Sequence, residues 1–257
     1  MTHAHHDEQR PAAPQPTSVA PLKNVAACLA LCEALISARS RLPNIGVFAG
    51  FSGYGKSIAA QYAWNTLGAV YVEVRDFWTR KMFVQALLSE LGQNRPRGTI
   101  GELMLEVIGI LGDMPPKLII VDEADKLVDK KMIELVRDLN EAADVPVLLV
   151  GEELLPAKLV DYERVDNRVL DTVLAQPCDL DDTRCLARFL FPRLSIADDL
   201  LDHIRQRTGG KARRIATTLH EAEQWARKSG LAELTLATYR GRIFDGVAPR
   251  RHDRRAA

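Results

Sequence analysis

Apolar positions change their spacing several times along this chain, and each change marks an element. Val25, Cys28, Leu29, Cys32, Leu35 and Ile36 recur at helical intervals between Asn24 and Ser40, which predicts a helix with one apolar face. The unbroken run Ile45–Ala49 has the length of a buried strand, and Ile58–Trp64 returns to a helical pattern. Ala69–Val74 is rich in β-branched residues and predicts a second strand. Phe77–Leu91 reads as an amphipathic helix. Thr99-Ile100-Gly101-Glu102 fits a capping box ahead of an apolar helix through Leu111, which Pro115 and Pro116 stop. Leu118–Val121 is apolar without alternation, as a strand covered on both faces must be. Met132–Ala143 predicts a helix, Val145–Val150 a fourth strand and Thr172–Ala175 a fifth.

Strands alternating with helices predict an α/β fold: a five-stranded parallel sheet with helices on both faces. After Pro177 the pattern turns wholly helical. Asp182–Phe191, Ile196–Thr208, Ala212–Lys228 and a short segment near Thr235 are punctuated by Gly209-Gly210 and Ser229-Gly230. The organisation expected is a disordered tail over 1–21, an α/β domain over 22–177, a small all-helical lid over 178–240 and a basic tail over 241–257.

Between the first strand and the following helix lies Gly50-Phe51-Ser52-Gly53-Tyr54-Gly55-Lys56-Ser57, which fits the phosphate-binding pattern G-x-x-x-x-G-K-[ST]. Glycines let the loop curl so that successive N–H groups face one anion, and the helix beginning near Ile58 adds its positive end. Lys56 is placed to reach the β- and γ-phosphates of ATP, and the Ser57 hydroxyl to ligate Mg2+. The third strand ends in Asp122-Glu123. A carboxylate there suits Mg2+ opposite Ser57, the role expected of Asp122. Glu123 would orient the attacking water as general base. The letters Asp122–Asp125 spell a helicase signature, which we read as accidental.

Composition narrows the picture only a little. The 257 residues carry 34 basic and 34 acidic side chains, a formal net charge of zero, so the overall charge announces no nucleic-acid partner. No apolar run approaches the ~18 residues of a membrane span, and the start has no signal-like segment; a cytoplasmic protein is expected. Cys28, Cys32, Cys178 and Cys185 form no C-x-x-C pair and read as free thiols. His3, His5 and His6 fall in the Pro-rich start and read as part of a flexible tail.

The loop, the D-E pair and the helical lid together resemble the AAA+ ATPases across about residues 22–240. That resemblance implies ATP hydrolysis with Mg2+, and further site residues. Glu152, after the fourth strand in Val150-Gly151-Glu152-Glu153, falls at the sensor 1 position, where a neutral polar residue is more usual. Arg168 is similar to the arginine finger that reaches a neighbouring subunit's γ-phosphate, with Arg164 as the second match. Thr208-Gly209-Gly210-Lys211-Ala212-Arg213 resembles the lid turn carrying sensor 2, with Arg213 on the nucleotide and Arg214 as the alternate.

Within the family, the closest likeness is to transposition ATPases of the phage Mu transposition protein B and TniB type, through V-L-L-V-G-E at strand four and the T-G-G-x-x-R lid turn. It implies a bacterial, phage- or transposon-encoded protein that assembles as a filament or ring on non-specific double-stranded DNA and recruits a transposase. Such proteins turn basic loops toward DNA. Arg75, Arg80 and Lys81 after the second strand, and Lys130 and Lys131 after the third, are the candidates here, with Trp78 as a ring that stacks or packs. The tail Arg250-Arg251-His252-Asp253-Arg254-Arg255 also suits phosphate contact. A replication-type loader or initiator, a non-DNA ATPase module of a secretion or assembly system, and a small-molecule kinase are the competing readings.

Overall fold

The computed structural model describes residues 19–38, 42–113 and 117–246. In chain order the first half runs α1 (Lys23–Ser37), β1 (Ile45–Ala49), α2 (Lys56–Leu67), β2 (Val70–Glu73), α3 (Arg80–Glu90), α4 (Ile100–Gly112), β3 (Ile119–Asp122), α5 (Asp125–Asp129) and α6 (Glu134–Ala143). The second half runs β4 (Val147–Gly151), α7 (Leu155–Leu159), α8 (Glu163–Asp166), β5 (Val169–Leu174), α9 (Leu180–Leu190), β6 (Ser195–Ile196), α10 (Asp198–Thr208), α11 (Ala212–Ser229) and β7 (Glu233–Leu234).

Strands β1 to β5 form one sheet in the order β2-β3-β4-β1-β5, with every pairing parallel. Side chains alternate between its faces. Phe48, Ile120, Leu148 and Val150 pack with α1, α2 and the buried sides of α9, α10 and α11. Val47, Ile119, Val121, Val147 and Leu149 pack with residues of α3 to α7 on the other face. Covered on both sides, these strands need apolar residues at every position. The expected five-stranded parallel sheet with flanking helices is therefore present, and the region after it is helical.

Several boundaries differ from the sequence reading. The helix expected from Phe77 starts at Arg80, because the Thr79 hydroxyl accepts the Met82 N–H (3.4 Å) as its N-cap and leaves Phe77 and Trp78 in a loop. The Thr99–Glu102 capping box forms as expected. The helix expected from Met132 begins at Glu134, and β5 begins at Val169 rather than Thr172. Near Thr235 the chain makes not a helix but the short strand β7, paired parallel with β6, so the C-terminal part carries a two-residue bridge beside its helices. The Pro-rich start with its histidines, Pro115, Pro116 and the Arg250–Arg255 run lie outside the described residues. Among the described residues no helix is long and apolar enough to cross a membrane.

Candidate nucleotide site and cationic surface

The loop after β1 has the backbone that its glycines anticipate. Gly53 and Gly55 take φ of 90° and 87°, a left-handed region that a Cβ disfavours. Gly55 N-caps α2, so this helix aims its free N–H groups into the loop. Lys56 Nζ donates to the carbonyls of Gly50 (2.6 Å) and Phe51 (3.1 Å). Burial lowers the Lys56 pKa, opposed by the nearby carboxylates Asp122, Glu123, Glu152 and Asp125. These residues fit a polyphosphate with its cation: a nest of N–H groups, an ammonium, the Ser57 hydroxyl and facing carboxylates. Gly50 and Phe51 stand apart from the cavity lining; Phe51 is half-exposed and meets Tyr54 edge-on.

The facing wall is the end of β3. Asp122 is 3% exposed, and both its oxygens are engaged. Oδ1 accepts the Glu123 N–H and Oδ2 accepts the Tyr71 hydroxyl, each at 2.8 Å. Tyr71 is itself held by stacking on Trp64 of α2 (5.5 Å between centroids). Burial and Asp122 raise the Tyr71 pKa, which keeps it a donor. Glu123 has φ +57°, a strained turn of the kind found at functional sites. Its carboxylate meets Lys126 Nζ at 3.1 Å, and Lys126 also donates to the Val74 carbonyl (3.3 Å).

Asp125, which the sequence reading passed over, joins this turn to β4. It is buried, and its Oδ2 accepts the Glu152 N–H at 2.6 Å. A Cβ on Gly151 would collide with that same oxygen and lie 2.6 Å from Leu155 Cδ2. Gly151 is thus what lets the two strand ends close together, while the Glu152 side chain lines the cavity.

The cavity, about 680 Å³, is closed by segments far apart in sequence. Its apolar lining comes from Val19, Ala20, Leu22 and Val25, from Ile58, and from Leu186, Phe189, Leu190 and Ala216. Arg213 lines it with an exposed side chain, and its N–H donates to the Gly53 carbonyl (3.3 Å), docking the start of α11 on the loop. Arg214 is engaged elsewhere, donating to the Asp245 carbonyl (2.7 Å). Arg213, not its alternate, is therefore the arginine at the cavity.

Asn24 fastens the assembly. Its amide donates to the carbonyls of Tyr54 (2.9 Å) and Gln176 (2.7 Å) and accepts the Gln176 N–H (2.9 Å). No local pattern in the sequence marks it. Asn24→Ala strands these buried groups and is expected to cost about 2–3 kcal/mol of stability, read as a lower urea midpoint. A midpoint equal to the parent's would show that water replaces the amide without loss.

Arg168 and Arg164 lie at the other edge of the sheet. The Ile45 N–H, where β1 begins, donates to the Arg168 carbonyl (3.0 Å). The glycine loop follows the far end of that strand, roughly 15 Å away at about 3.3 Å per residue. The Arg168 backbone thus lies at the end of the strand opposite the loop of its own chain. Arg168 pairs with Glu141 (2.7 Å), whereas the Arg164 side chain is exposed.

The five candidate DNA cations share one surface beyond the carboxyl ends of β2 and β3, two to three strand spacings (~10–14 Å) from the glycine loop. Arg80 Nη2 donates to the Lys131 carbonyl (2.9 Å) and Lys130 Nζ to the Trp78 carbonyl (3.3 Å), tying the two loops together. Lys81 opens α3 beside them. Arg75 extends from the same loop but pairs with Glu73 (2.8 Å).

Comparison with known proteins agrees with this architecture. Residues 39–159 match the family model described as AAA domain. No curated protein matches the chain in sequence. Among solved structures, the Aeropyrum pernix ORC2 protein in ADPNP-ADP complexes aligns at 13% identity and a TM-score of 0.66, over 88% of this chain and 69% of that one. The A. pernix ORC1 protein in complex with DNA aligns at 16% identity and TM-score 0.62, over 80% and 60%. The Thermotoga maritima RuvB Holliday junction branch migration motor aligns at 17% identity and TM-score 0.56, over 82% and 64%. The match over residues 39–159 and these likenesses agree on one point: the described body has the AAA+ P-loop fold.

Proposed function

We propose that this chain is an ATP-dependent, DNA-binding AAA+ ATPase that assembles on duplex DNA. The observation that carries the proposal is the joint placement, along one edge of one sheet, of the cavity ringed by Lys56, Ser57, Asp122, Glu123 and Arg213 and of the surface built by Arg80, Lys81, Lys130 and Lys131. Lys56 and the loop N–H groups bind the phosphates, the apolar cleft between Val19–Val25 and Leu186–Leu190 takes the base, and Arg213 closes from the lid. Ser57 and Asp122 are the residues that would hold Mg2+, which would supply charge neutralisation at the phosphates. Tyr71 orients the Asp122 carboxylate. Glu123 takes the proton of the attacking water.

Arg168, with Arg164 as the alternate, acts on the nucleotide of an adjacent copy, since its backbone lies at the strand end opposite its own loop. Arg168→Ala is expected to lower turnover by about 10³-fold while ATP affinity at subunit concentrations too low for assembly stays unchanged. Lost affinity under those conditions would place the arginine in its own site.

The finer role we propose is target-DNA binding in transposition, with a transposase as partner and hydrolysis releasing the assembly; the strand-four and lid-turn motifs support it. The likeness in fold to ORC chains favours a second reading, a replication-type loader or initiator. The deciding experiment is ATP hydrolysis with Mg2+, with and without non-specific duplex DNA, over a salt series. Stimulation that fades as salt rises supports the DNA reading, because phosphate contacts release counterions. Turnover indifferent to DNA would overturn it in favour of a protein-activated module.

A further inference from the structure

The loop between β2 and α3 presents a ring that the fold does not use. Phe77 is 71% exposed, while its neighbour Trp78 packs against the core. The loop is fixed at both ends. The Trp78 N–H closes a turn on the Arg75 carbonyl (3.1 Å), and Lys130 holds the Trp78 carbonyl. Thr79 caps α3, and Arg80 grips the Lys131 carbonyl. Phe77 therefore projects from a pinned turn, and an aromatic ring held in water forgoes the stabilisation that burial would give.

Its surroundings say what it suits. Arg80 and Lys81 follow it in the chain, and Lys130 and Lys131 lie on the loop tied to its own through the Lys130–Trp78 and Arg80–Lys131 bonds; Asp76 is the acid within the turn, and Glu73 is taken by Arg75. A ring on a loop that carries cations complements a ligand that is anionic at its rim and flat and apolar inside. Duplex DNA has that make-up, with phosphates outside and base faces within. We propose that Phe77 inserts against the base stack of duplex DNA held by these four cations, partly unstacking one base step. The stacking role weighed for Trp78 passes to the residue before it. This inference rests on the DNA-binding reading above.

The test uses the full chain with ATP, Mg2+ and a random-sequence duplex carrying 2-aminopurine. Phe77→Ala is expected to weaken binding about 5- to 100-fold, to abolish the rise in 2-aminopurine fluorescence and to leave the salt dependence unchanged. Phe77→Trp should keep both affinity and signal. Arg80→Ala should instead lower the salt slope by about one. Because the ring is exposed, its removal leaves folding intact, which the melting temperature verifies.

Binding by Phe77→Ala within about twofold of the parent, less than the loss of any stacking contact, overturns the proposal. So does loss of ATP-dependent self-assembly without DNA, which would make the ring a subunit contact. Equal Phe77 dependence on single strands with no duplex signal overturns it in favour of a single-strand stacking platform. If the parent itself binds no DNA at low salt, the DNA reading fails and the wedge with it, an outcome distinct from a selective defect in Phe77→Ala.

Discussion

Lys56→Ala is expected to lower ATP affinity by about 100-fold or more, ~3 kcal/mol. The ammonium is held within the loop by the Gly50 and Phe51 carbonyls, and a triphosphate would take over its protons in charge-assisted bonds. Alanine removes these contacts while leaving the glycine torsions and the start of α2 in place. The phosphates would then depend on backbone N–H groups, Mg2+ and Arg213, without the ammonium. Calorimetric titration of ATP checks the prediction, with the melting temperature as a control for folding. An affinity within about threefold of the parent (~0.7 kcal/mol) would remove Lys56 from the phosphate site and with it the nucleotide reading of the cavity.

Glu123→Gln tests the chemical step separately. Glutamine keeps the volume, the strained turn and an oxygen for Lys126, but it cannot take a proton from water. Hydrolysis in a single turnover is expected to fall by about 10²- to 10⁴-fold, with ATP affinity nearly unchanged. ATP-loaded assemblies should consequently persist on DNA. Normal turnover would shift the general base to Glu152, the carboxylate on the same cavity at the end of β4, and Glu152→Gln would then carry the defect.

The parts of this site that were legible in the sequence are those written in consecutive residues. Gly50–Ser57 and Leu118–Glu123 each combine an apolar strand with its loop, so pattern and chemistry reinforce each other. Unbroken apolar runs marked the inner strands because both faces of the sheet are covered. The apolar walls of the cavity were not legible: Val19 and Ala20 fell in the tail expected to be disordered, yet they pack at the cavity, and Ile58 and Leu186–Leu190 look like ordinary helix positions until the chain has folded. Helices α5, α7 and α8 span only four or five residues, too short to display a period. Phe77 and Trp78 continue the apolar spacing of α3, but the Thr79 cap overrode that pattern. Asp125 was set aside with an accidental four-letter match, whereas burial against Gly151 gives it a structural task that spacing alone does not reveal.

The Asn24 clasp also bears on how this molecule comes apart. One amide bridges a helix before the sheet, the glycine loop and the strand-to-lid junction, the last 152 residues away in sequence. Contacts of such separation form late, after loop closure has been paid for in chain entropy. A ligand that needs this cavity intact is therefore expected to bind the native state in preference to the unfolded chain. Its free energy of binding then adds to the stability of the lid and the sheet together, so that saturation should move their hydrogen-exchange protection upward in concert, as one cooperative unit rather than two.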